Sequence, residues 1–114
     1  MTSTDRDVRP WGWYVILYDD ENSKVKKIHV NEDSRLSLQK HNYRREVWTC
    51  IKGNLGVHLD GQEIEVKVGQ SISIPMGSVH RAYSIDGEVE FIEVQTGTYF
   101  GEDDIIRLED DYGR

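Results

Sequence analysis

The stretch LSLQKHNYRREVW, residues 36–48, decides the fold because its side chains alternate in character with a period of two. Successive side chains of a β-strand point to opposite faces of the sheet. Ser37, Gln39 and His41 are therefore predicted to share one face, opposite Leu36 and Leu38. Such a polar face indicates either a solvated sheet edge or, if it is buried, a group of side chains that needs a partner.

The strand that follows adds a carboxylate to this group. Glu46, Trp48 and Cys50 alternate and are predicted to share a face. If the two strands are neighbours, a glutamine, a histidine and a glutamate converge inside a barrel. Cys50 is the only cysteine, which excludes an intrachain disulfide and a thiolate metal cage. Its context, VWTCI, is typical of a small buried side chain.

A distant segment, GQSISIPMGSVHRAYS at 69–84, supplies a further donor. Pro75 and Gly77 predict a sharp turn, and His80 opens the strand after it. His80, Ala82 and Ser84 then share a face. Two imidazoles, one carboxylate and one amide oxygen form a mixed nitrogen and oxygen donor set that suits a divalent metal. The predicted ligands are Gln39, His41, Glu46 and His80.

The whole chain has little helical periodicity and many short runs of β-branched and aromatic residues. Turn dipeptides such as Asp60-Gly61 and Asp86-Gly87 separate them. The spacing predicts antiparallel strands in a sandwich or small barrel. We expect a flexible segment at 1–8, one domain at 9–114, and a short helix or tail at 102–108. The nine predicted strands are 13–18, 25–30, 35–39, 46–51, 55–60, 63–68, 71–75, 80–85 and 88–94.

Composition excludes several function classes. The 114 residues carry a net charge of −7, which disfavours binding to nucleic acid. Apolar runs are far shorter than the about 20 residues of a membrane span, and the polar start MTSTDRDVRP does not resemble a signal peptide. A cytoplasmic protein is therefore expected. Basic residues in the middle of the chain leave room for an anionic small molecule.

The two segments together resemble the paired motifs of the cupin superfamily. Gln39 stands for the first motif histidine and Ser84 for the closing asparagine of the second motif, while the spacings are those of the family. The resemblance implies an all-β, jelly-roll-like double-stranded β-helix that holds one divalent metal. The residues that match in spacing are Gln39, His41, Glu46 and Gly53, and then Gly69, Pro75, Gly77 and His80.

A closer resemblance covers 9–114. RPWGWY, KVKKIHV, IPMGSVHR and IEVQTGTYFGEDDIIRLEDDYGR are similar to the C-terminal cupin domain of type II mannose-6-phosphate isomerases. In that family the domain commonly follows a mannose-1-phosphate guanylyltransferase domain, whose sequence this chain lacks. The resemblance implies conversion of mannose 6-phosphate to fructose 6-phosphate through an enediol. Zinc is the expected metal, and manganese, iron, cobalt and nickel also accept such donors.

The resemblance also suggests which residues meet the substrate. Arg44 matches the motif arginine and is the first candidate for the phosphate, because a guanidinium binds oxyanions in a fork. Arg9, Arg81 and Arg107 match further family positions, with surface ion pairing as the alternative for each. Glu93 and Lys27 are candidate proton-transfer groups because their strands could line the barrel. No nucleophile is predicted, and His29 and His58 match no motif.

Three departures keep other functions open. Asn42, Tyr43 and Val47 stand where the family usually has histidines. One alternative is therefore a non-catalytic metal-containing cupin that binds a sugar or a nucleotide-sugar, with a separate guanylyltransferase as partner. Another is a purely structural barrel without a metal. The resemblance to small cupins, which often pair, implies a homodimer, and apolar strand edges such as WYVILY fit this expectation.

Overall fold

A computed structural model describes residues 5–112 of the protein. Almost every regular element is a β-strand, as the short β-branched runs predict. The only helical element among these residues is one 3-10 turn at Glu102–Asp104, so no helix here is long and apolar enough to cross a membrane. The strands are β1 (Asp7–Arg9), β2 (Gly12–Asp19), β3 (Ser23–Val30), β4 (Leu38–Lys40), β5 (Arg44–Lys52), β6 (Asn54–Leu59), β7 (Gln62–Lys67), β8 (Ser71–Ile74), β9 (His80–Ser84), β10 (Val89–Gly97) and β11 (Ile106–Glu109).

The strands form two antiparallel sheets that pack as a sandwich. One sheet has six strands in the order β1-β2-β3-β10-β5-β8, and the other has five in the order β11-β4-β9-β6-β7. Neighbours in space are mostly distant in sequence, since β10 lies between β3 and β5. This arrangement confirms the predicted all-β, jelly-roll-like fold. It also brings the two polar segments of the sequence together, because β4 pairs with β9 at Gln39 and His80.

The ends of the chain contain two strands that the sequence analysis missed. Residues 1–4 of the predicted flexible segment lie outside the described residues, whereas Asp7 and Val8 pair with β2. The segment predicted as a short helix or tail begins with the 3-10 turn and continues as β11, which pairs with β4. β4 itself is shorter than predicted. Because it begins only at Leu38, Leu36 departs from the alternation and packs against the core.

The space between the sheets is divided into an apolar part and a polar part. Phe91, Leu55 and Cys50 are fully buried in the apolar part, which confirms the prediction of a small buried thiol. The polar part contains buried charged and hydrogen-bonding side chains: Lys26, Ser37, His41, Arg44, Glu46, His80, Glu93 and Gln95. Burial of polar groups is costly unless they are paired or bound to a ligand. The polar part is therefore the candidate functional site.

Turns between the strands use the left-handed conformation that glycine adopts without strain, and two of them differ in the space around the glycine. The predicted turn between β6 and β7 has φ of +47° at Asp60 and +86° at Gly61, as expected for a type I′ hairpin. Gly53, between β5 and β6, has φ of +76°. A Cβ on Gly53 would collide with the carbonyl oxygen of Glu88, whereas a Cβ on Gly61 would meet no atom within 4 Å.

Gly53→Ala is expected to destabilise the protein more than Gly61→Ala. Both substitutions force an L-residue into the left-handed region, at a cost of about 1–2 kcal/mol. Only Gly53→Ala adds a collision with backbone, which costs about 1–3 kcal/mol more. Urea denaturation of both variants measures the difference in free energy of unfolding. Equal losses would contradict the close approach of Glu88 to Gly53.

Candidate metal centre

The register of β10 against its two neighbours builds the floor of the site. Glu93 is opposite Lys26 on β3 and Trp48 on β5, and Gln95 is opposite Glu46. Residues that are opposite each other on neighbouring strands point to the same face. Glu93, Lys26 and Trp48 therefore form one inward row across the six-stranded sheet, with Gln95 and Glu46 in an adjacent row.

Three of the four predicted metal ligands converge in this polar interior. One potential ligand atom from each of His41, Glu46 and His80 lies within 4.8 Å of the other two, and all three side chains are buried. Nε2 of His41 lies 3.2 Å from Oε2 of Glu46. The ring centres of His41 and His80 are 4.9 Å apart. Segments that are far apart in sequence thus supply a compact donor cluster.

Both imidazoles are held in the neutral form that metal binding requires. Burial, followed by the charge of Arg44, lowers the pKa of His41 to about 3. Burial also lowers the pKa of His80. Nδ1 of His80 lies 3.0 Å from the carbonyl oxygen of Ser78. Because a carbonyl only accepts, His80 carries its proton on Nδ1 and its lone pair on Nε2, where a metal can use it.

Glu46 is oriented from both sides. Trp48 Nε1 donates to its Oε1 at 2.9 Å, and Arg44 Nε donates to its Oε2 at 2.9 Å. Hydrogen bonds of this kind fix the direction in which a carboxylate ligand points. The residue is only 2% exposed, so its position is set by the protein rather than by water.

Gln39, the fourth predicted ligand, is next to His80. The two residues are register partners on β4 and β9, so their side chains are neighbours on the inner face. Gln39 Nε2 donates to Ser37 Oγ at 3.0 Å. This bond uses the amide nitrogen and leaves Oε1 as the atom available to an ion. The half-buried Gln39 also lines the cavity described below.

The donor set fits a divalent ion. Nδ1 of His41 is buried without a hydrogen-bond partner within the described part of the chain, so the ring is not saturated by protein groups. Imidazole nitrogens and carboxylate or amide oxygens are accepted by Zn²⁺, Mn²⁺, Fe²⁺, Co²⁺ and Ni²⁺ alike. The arrangement therefore defines a possible metal site without specifying the metal.

A cavity of about 350 Å³ opens beside this cluster. It reaches the lower end of the size range of about 300–1,000 Å³ that is usual for small-molecule sites. Three of the predicted phosphate-binding arginines, Arg9, Arg44 and Arg107, line it together with Glu93. Its remaining walls are Trp11, Tyr14, Lys26, Ile28, Leu36, Ser37, Gln39 and Ile105.

Two predicted site residues do not line this cavity. Arg81 follows His80 on β9 and points the other way, where its Nε donates to the Leu36 carbonyl at 2.8 Å and its Nη1 to Glu109 at 3.2 Å. Lys27 lies on the outer face of β3 and forms an ion pair of 3.4 Å with Glu90. Both contacts are alternatives to a role in the site, and they direct these cations away from the candidate ligands.

Lys26, which the sequence analysis passed over, occupies the position expected for Lys27. Its side chain is buried in the cavity wall, with Nζ 4.4 Å from the centre of the Tyr14 ring. It forms no ion pair with a carboxylate of the described residues. Adjacent residues of a strand point to opposite faces, so the sequence predicts that one of the two lysines is internal. It does not predict which one.

Glu93 has the environment of a proton-transfer group. It is 6% exposed, accepts from Trp48 Nε1 at 3.1 Å through Oε1, and from Gln95 Nε2 at 2.6 Å through Oε2. Burial, and next the nearby charge of Glu46, raise its pKa to about 7. A carboxyl group with such a pKa can both take and return a proton near neutral pH.

The three positions where the family usually has histidines lie outside the site. Asn42, Tyr43 and Val47 are exposed, Tyr43 by 56% and Val47 by 38%. The backbone N–H groups of Asn42 and Tyr43 donate to the buried Asp104 carboxylate at 3.0 and 3.1 Å. Val47 is on the opposite face of β5 from Glu46, as alternation predicts. Their side chains therefore line neither the cavity nor the donor cluster.

The two histidines that matched no motif are also outside the cavity. His29 stacks on Trp13 with ring centres 5.0 Å apart and bonds to Glu90 and Glu88 at 2.8 and 3.1 Å. His58 pairs with Glu63 on the five-stranded sheet. Both imidazoles thus have local carboxylate partners, that of His29 in a buried position.

The two-sheet fold, with its buried histidine and glutamate donors, is that of a cupin. Similar solved structures support this class. KdgF from Halomonas sp. superposes with a TM-score of 0.78 at 16% identity, covering 87% of this chain and 89% of that one. An RmlC-like cupin from Shewanella frigidimarina gives a TM-score of 0.76 at 18% identity, with coverage of 88% and 87%.

Within this class, the chain belongs to the family described as Mannose-6-phosphate isomerase C-terminal, whose model matches residues 2–110. It is 45% identical over 108 residues to the alginate biosynthesis protein AlgA of Pseudomonas aeruginosa, covering 93% of this chain and 22% of that protein. It is 40% identical over 106 residues to a mannose-1-phosphate guanylyltransferase of Sinorhizobium fredii, covering 91% and 20%. The chain thus spans about a fifth of the length of these relatives.

Replacing a candidate ligand is expected to abolish tight metal binding. His41→Ala and His80→Ala each remove one imidazole, and we expect the affinity for Zn²⁺ to fall at least about a hundredfold, beyond the 10–100-fold typical of outer-shell changes. Competition with a chromogenic chelator measures the affinity.

The matched control for these variants is His58→Ala, which removes a surface imidazole paired with Glu63. It should leave the affinity for Zn²⁺ unchanged. Circular dichroism verifies that all variants are folded. If His58→Ala weakened binding as much as His41→Ala, the metal would not be bound at the buried cluster.

Proposed function

We propose that this protein is a metal-dependent sugar-phosphate isomerase that interconverts mannose 6-phosphate and fructose 6-phosphate. The observation that carries the proposal is that the buried acid Glu93 and several cationic side chains line one cavity. Two residues of its wall, Gln39 and Arg44, adjoin the cluster of His41, Glu46 and His80. Membership of the isomerase C-terminal family supports the choice of substrate. Zinc is the proposed metal, because its chemistry suits the donor set.

The reaction needs a proton to move between C1 and C2 of the open-chain sugar. A divalent ion at the donor cluster would polarise the sugar oxygens and offset the negative charge of the enediolate. Glu93 would remove the proton from C2 and return a proton to C1, while the hydroxyl proton on O2 would pass to O1 of the enediolate. Its pKa of about 7 makes both directions accessible. Hydrogen bonds from Trp48 and Gln95 hold its two oxygens in place.

The phosphate end of the substrate needs cations at a distance from the proton transfer. Arg9 and Arg107 come from β1 and β11, the edge strands of the two sheets, and both line the cavity. Arg107 is exposed and has no ion pair with a described carboxylate, so its guanidinium can bind an oxyanion without losing a partner. Arg9 already contacts Asp7 and would have to share it.

The departures from the family pattern do not weaken this proposal. Asn42, Tyr43 and Val47 are exposed and away from the donor cluster, so their identity leaves the groups around Glu93 unchanged. A non-catalytic cupin would use the same cavity to bind a sugar ligand and would differ only in lacking turnover. The homodimer, the guanylyltransferase partner and the cytoplasmic location stay predictions.

Glu93→Gln is expected to lower kcat at least about a hundredfold, because general acid–base catalysis contributes about 10²–10⁴-fold. Glutamine keeps the shape and can still accept from Trp48, so metal content should stay unchanged. The matched control is Glu90→Gln on the same strand, whose carboxylate faces outward to His29 and Lys27. A coupled assay that detects fructose 6-phosphate measures turnover of the Zn²⁺-loaded protein.

Absence of turnover in metal-loaded protein, with mannose 6-phosphate binding intact, would replace the isomerase proposal with the non-catalytic one. Full activity of Glu93→Gln would leave the reaction intact but remove Glu93 as its base.

Lys26→Met is expected to reduce kcat/KM for mannose 6-phosphate at least about tenfold, because this buried ammonium lies in the cavity wall near Glu93. Lys27→Met is the neighbouring control and should retain kcat/KM, since Lys27 lies outside and pairs with Glu90. The same assay compares them. The reverse result would mean that the register of β3 differs from the one described.

A further inference from the structure

Arg44 is bonded to two atoms of the candidate donor cluster, Oε2 of Glu46 and Nε2 of His41. Its guanidinium is buried, with 4% of the residue exposed. Nε donates to Glu46 Oε2 at 2.9 Å, and Nη2 donates to His41 Nε2 at 3.3 Å. Those two acceptor atoms face each other at 3.2 Å. A neutral imidazole nitrogen and a carboxylate oxygen at this distance repel unless a cation lies beside them, and here the cation is Arg44.

A divalent ion and the guanidinium compete for this position. The acceptor nitrogen of a neutral imidazole has one lone pair, so His41 Nε2 cannot accept from Arg44 and bind a metal at the same time. Two cations a few ångströms apart in a buried site also repel strongly, because screening is weak there. Entry of an ion at His41 Nε2 therefore requires the Nη2 end of Arg44 to move.

The cavity gives the guanidinium a place to go. Arg44 forms part of the cavity wall, so its side chain borders open space as well as the ligand cluster. Among the described residues its guanidinium makes one further hydrogen bond, from Nη1 to the carbonyl oxygen of Phe100, which is 3.5 Å long and hence weak. Rotation toward Arg9 and Arg107 would place a third guanidinium near the predicted phosphate position.

We propose that Arg44 is the internal counter-cation of the ion-free site, and that a divalent ion releases its guanidinium to bind an anion in the cavity. The inference rests on the proposed metal site and adds a coupling between metal and substrate anion. Because linkage is reciprocal, an anion that captures Arg44 must also raise the affinity for the metal. Arg44 acts here as a positioning residue, and the effect is measurable without turnover.

The test measures Co²⁺ affinity by the absorbance of the bound ion, with a competing chelator, at constant ionic strength. Inorganic sulfate serves as the tetrahedral anion. In the unsubstituted protein, sulfate should strengthen Co²⁺ binding about fivefold or more, the lower limit of usual coupling. Arg44→Met should bind Co²⁺ at least about fivefold more tightly than the unsubstituted protein without sulfate, and should not respond to sulfate.

Arg45→Met is the matched control. Arg45 is the next residue of β5, is exposed, and lies on the opposite face from the cluster. This variant has the same loss of charge and should behave as the unsubstituted protein in both measurements. It separates the local effect of Arg44 from a change in net charge.

The outcomes are distinct. If Arg44→Met bound Co²⁺ equally or more weakly, as expected when the arginine merely supports the fold, the proposal would be overturned and the metal site would stand. A protein that bound no Co²⁺ in any form would overturn the metal-dependent function and this inference with it. Should Arg44→Met fail to fold, the sulfate effect in the unsubstituted protein decides: no effect overturns the coupling.

Discussion

The burial of two carboxylates, Glu46 and Glu93, between the sheets is the constraint on which the rest of the site depends. One indole N–H, that of Trp48, bonds to both. Removal of two such charges from water is expensive, and their mutual repulsion adds to the cost. Two features offset this cost. Arg44 forms an ion pair with Glu46, and the raised pKa of Glu93 favours its neutral, protonated form. A bound divalent ion would offset the same cost in a third way, by neutralising negative charge.

The division of the interior explains how one small domain tolerates this cost. The apolar part around Phe91 and Leu55 supplies hydrophobic burial, which is the main favourable term in folding. The polar part contributes little hydrophobic burial and contains the buried charged groups, whose cost the apolar part offsets. Trp48 joins the two parts, since its ring packs on Phe91 with centres 5.0 Å apart while its N–H bonds to the carboxylates. Trp48 thus contributes both to the apolar core and to the position of the two carboxylates.

Alternation along single strands predicted much of the site. It placed Val47 opposite Glu46, and the structure agrees. It also predicted Gln39 and His41 as inward residues; Gln39 lines the cavity and His41 is buried in the donor cluster just after β4. The same alternation predicts that Arg81 faces away from the site, since its neighbour His80 points inward. The family resemblance alone places Arg81 among the phosphate-binding candidates. β1 and β11 were missed because edge strands of three and four residues have too little pattern. The sequence does not show which of Lys26 and Lys27 faces inward, because the pairing of β3 with β10 decides which alternate residues of β3 point to the interior.

β10 carries a core residue, a candidate base and its support at successive inward positions, Phe91, Glu93 and Gln95. Each inward residue has an outward neighbour such as Ile92 or Val94. Insertion or deletion of one residue in this strand would exchange the two sets and remove the hydrophobic contact and the acid together. A change in the length of β10 would therefore disturb the core and the candidate site together, whereas a substitution at one of its outward positions would leave both facing sets in place.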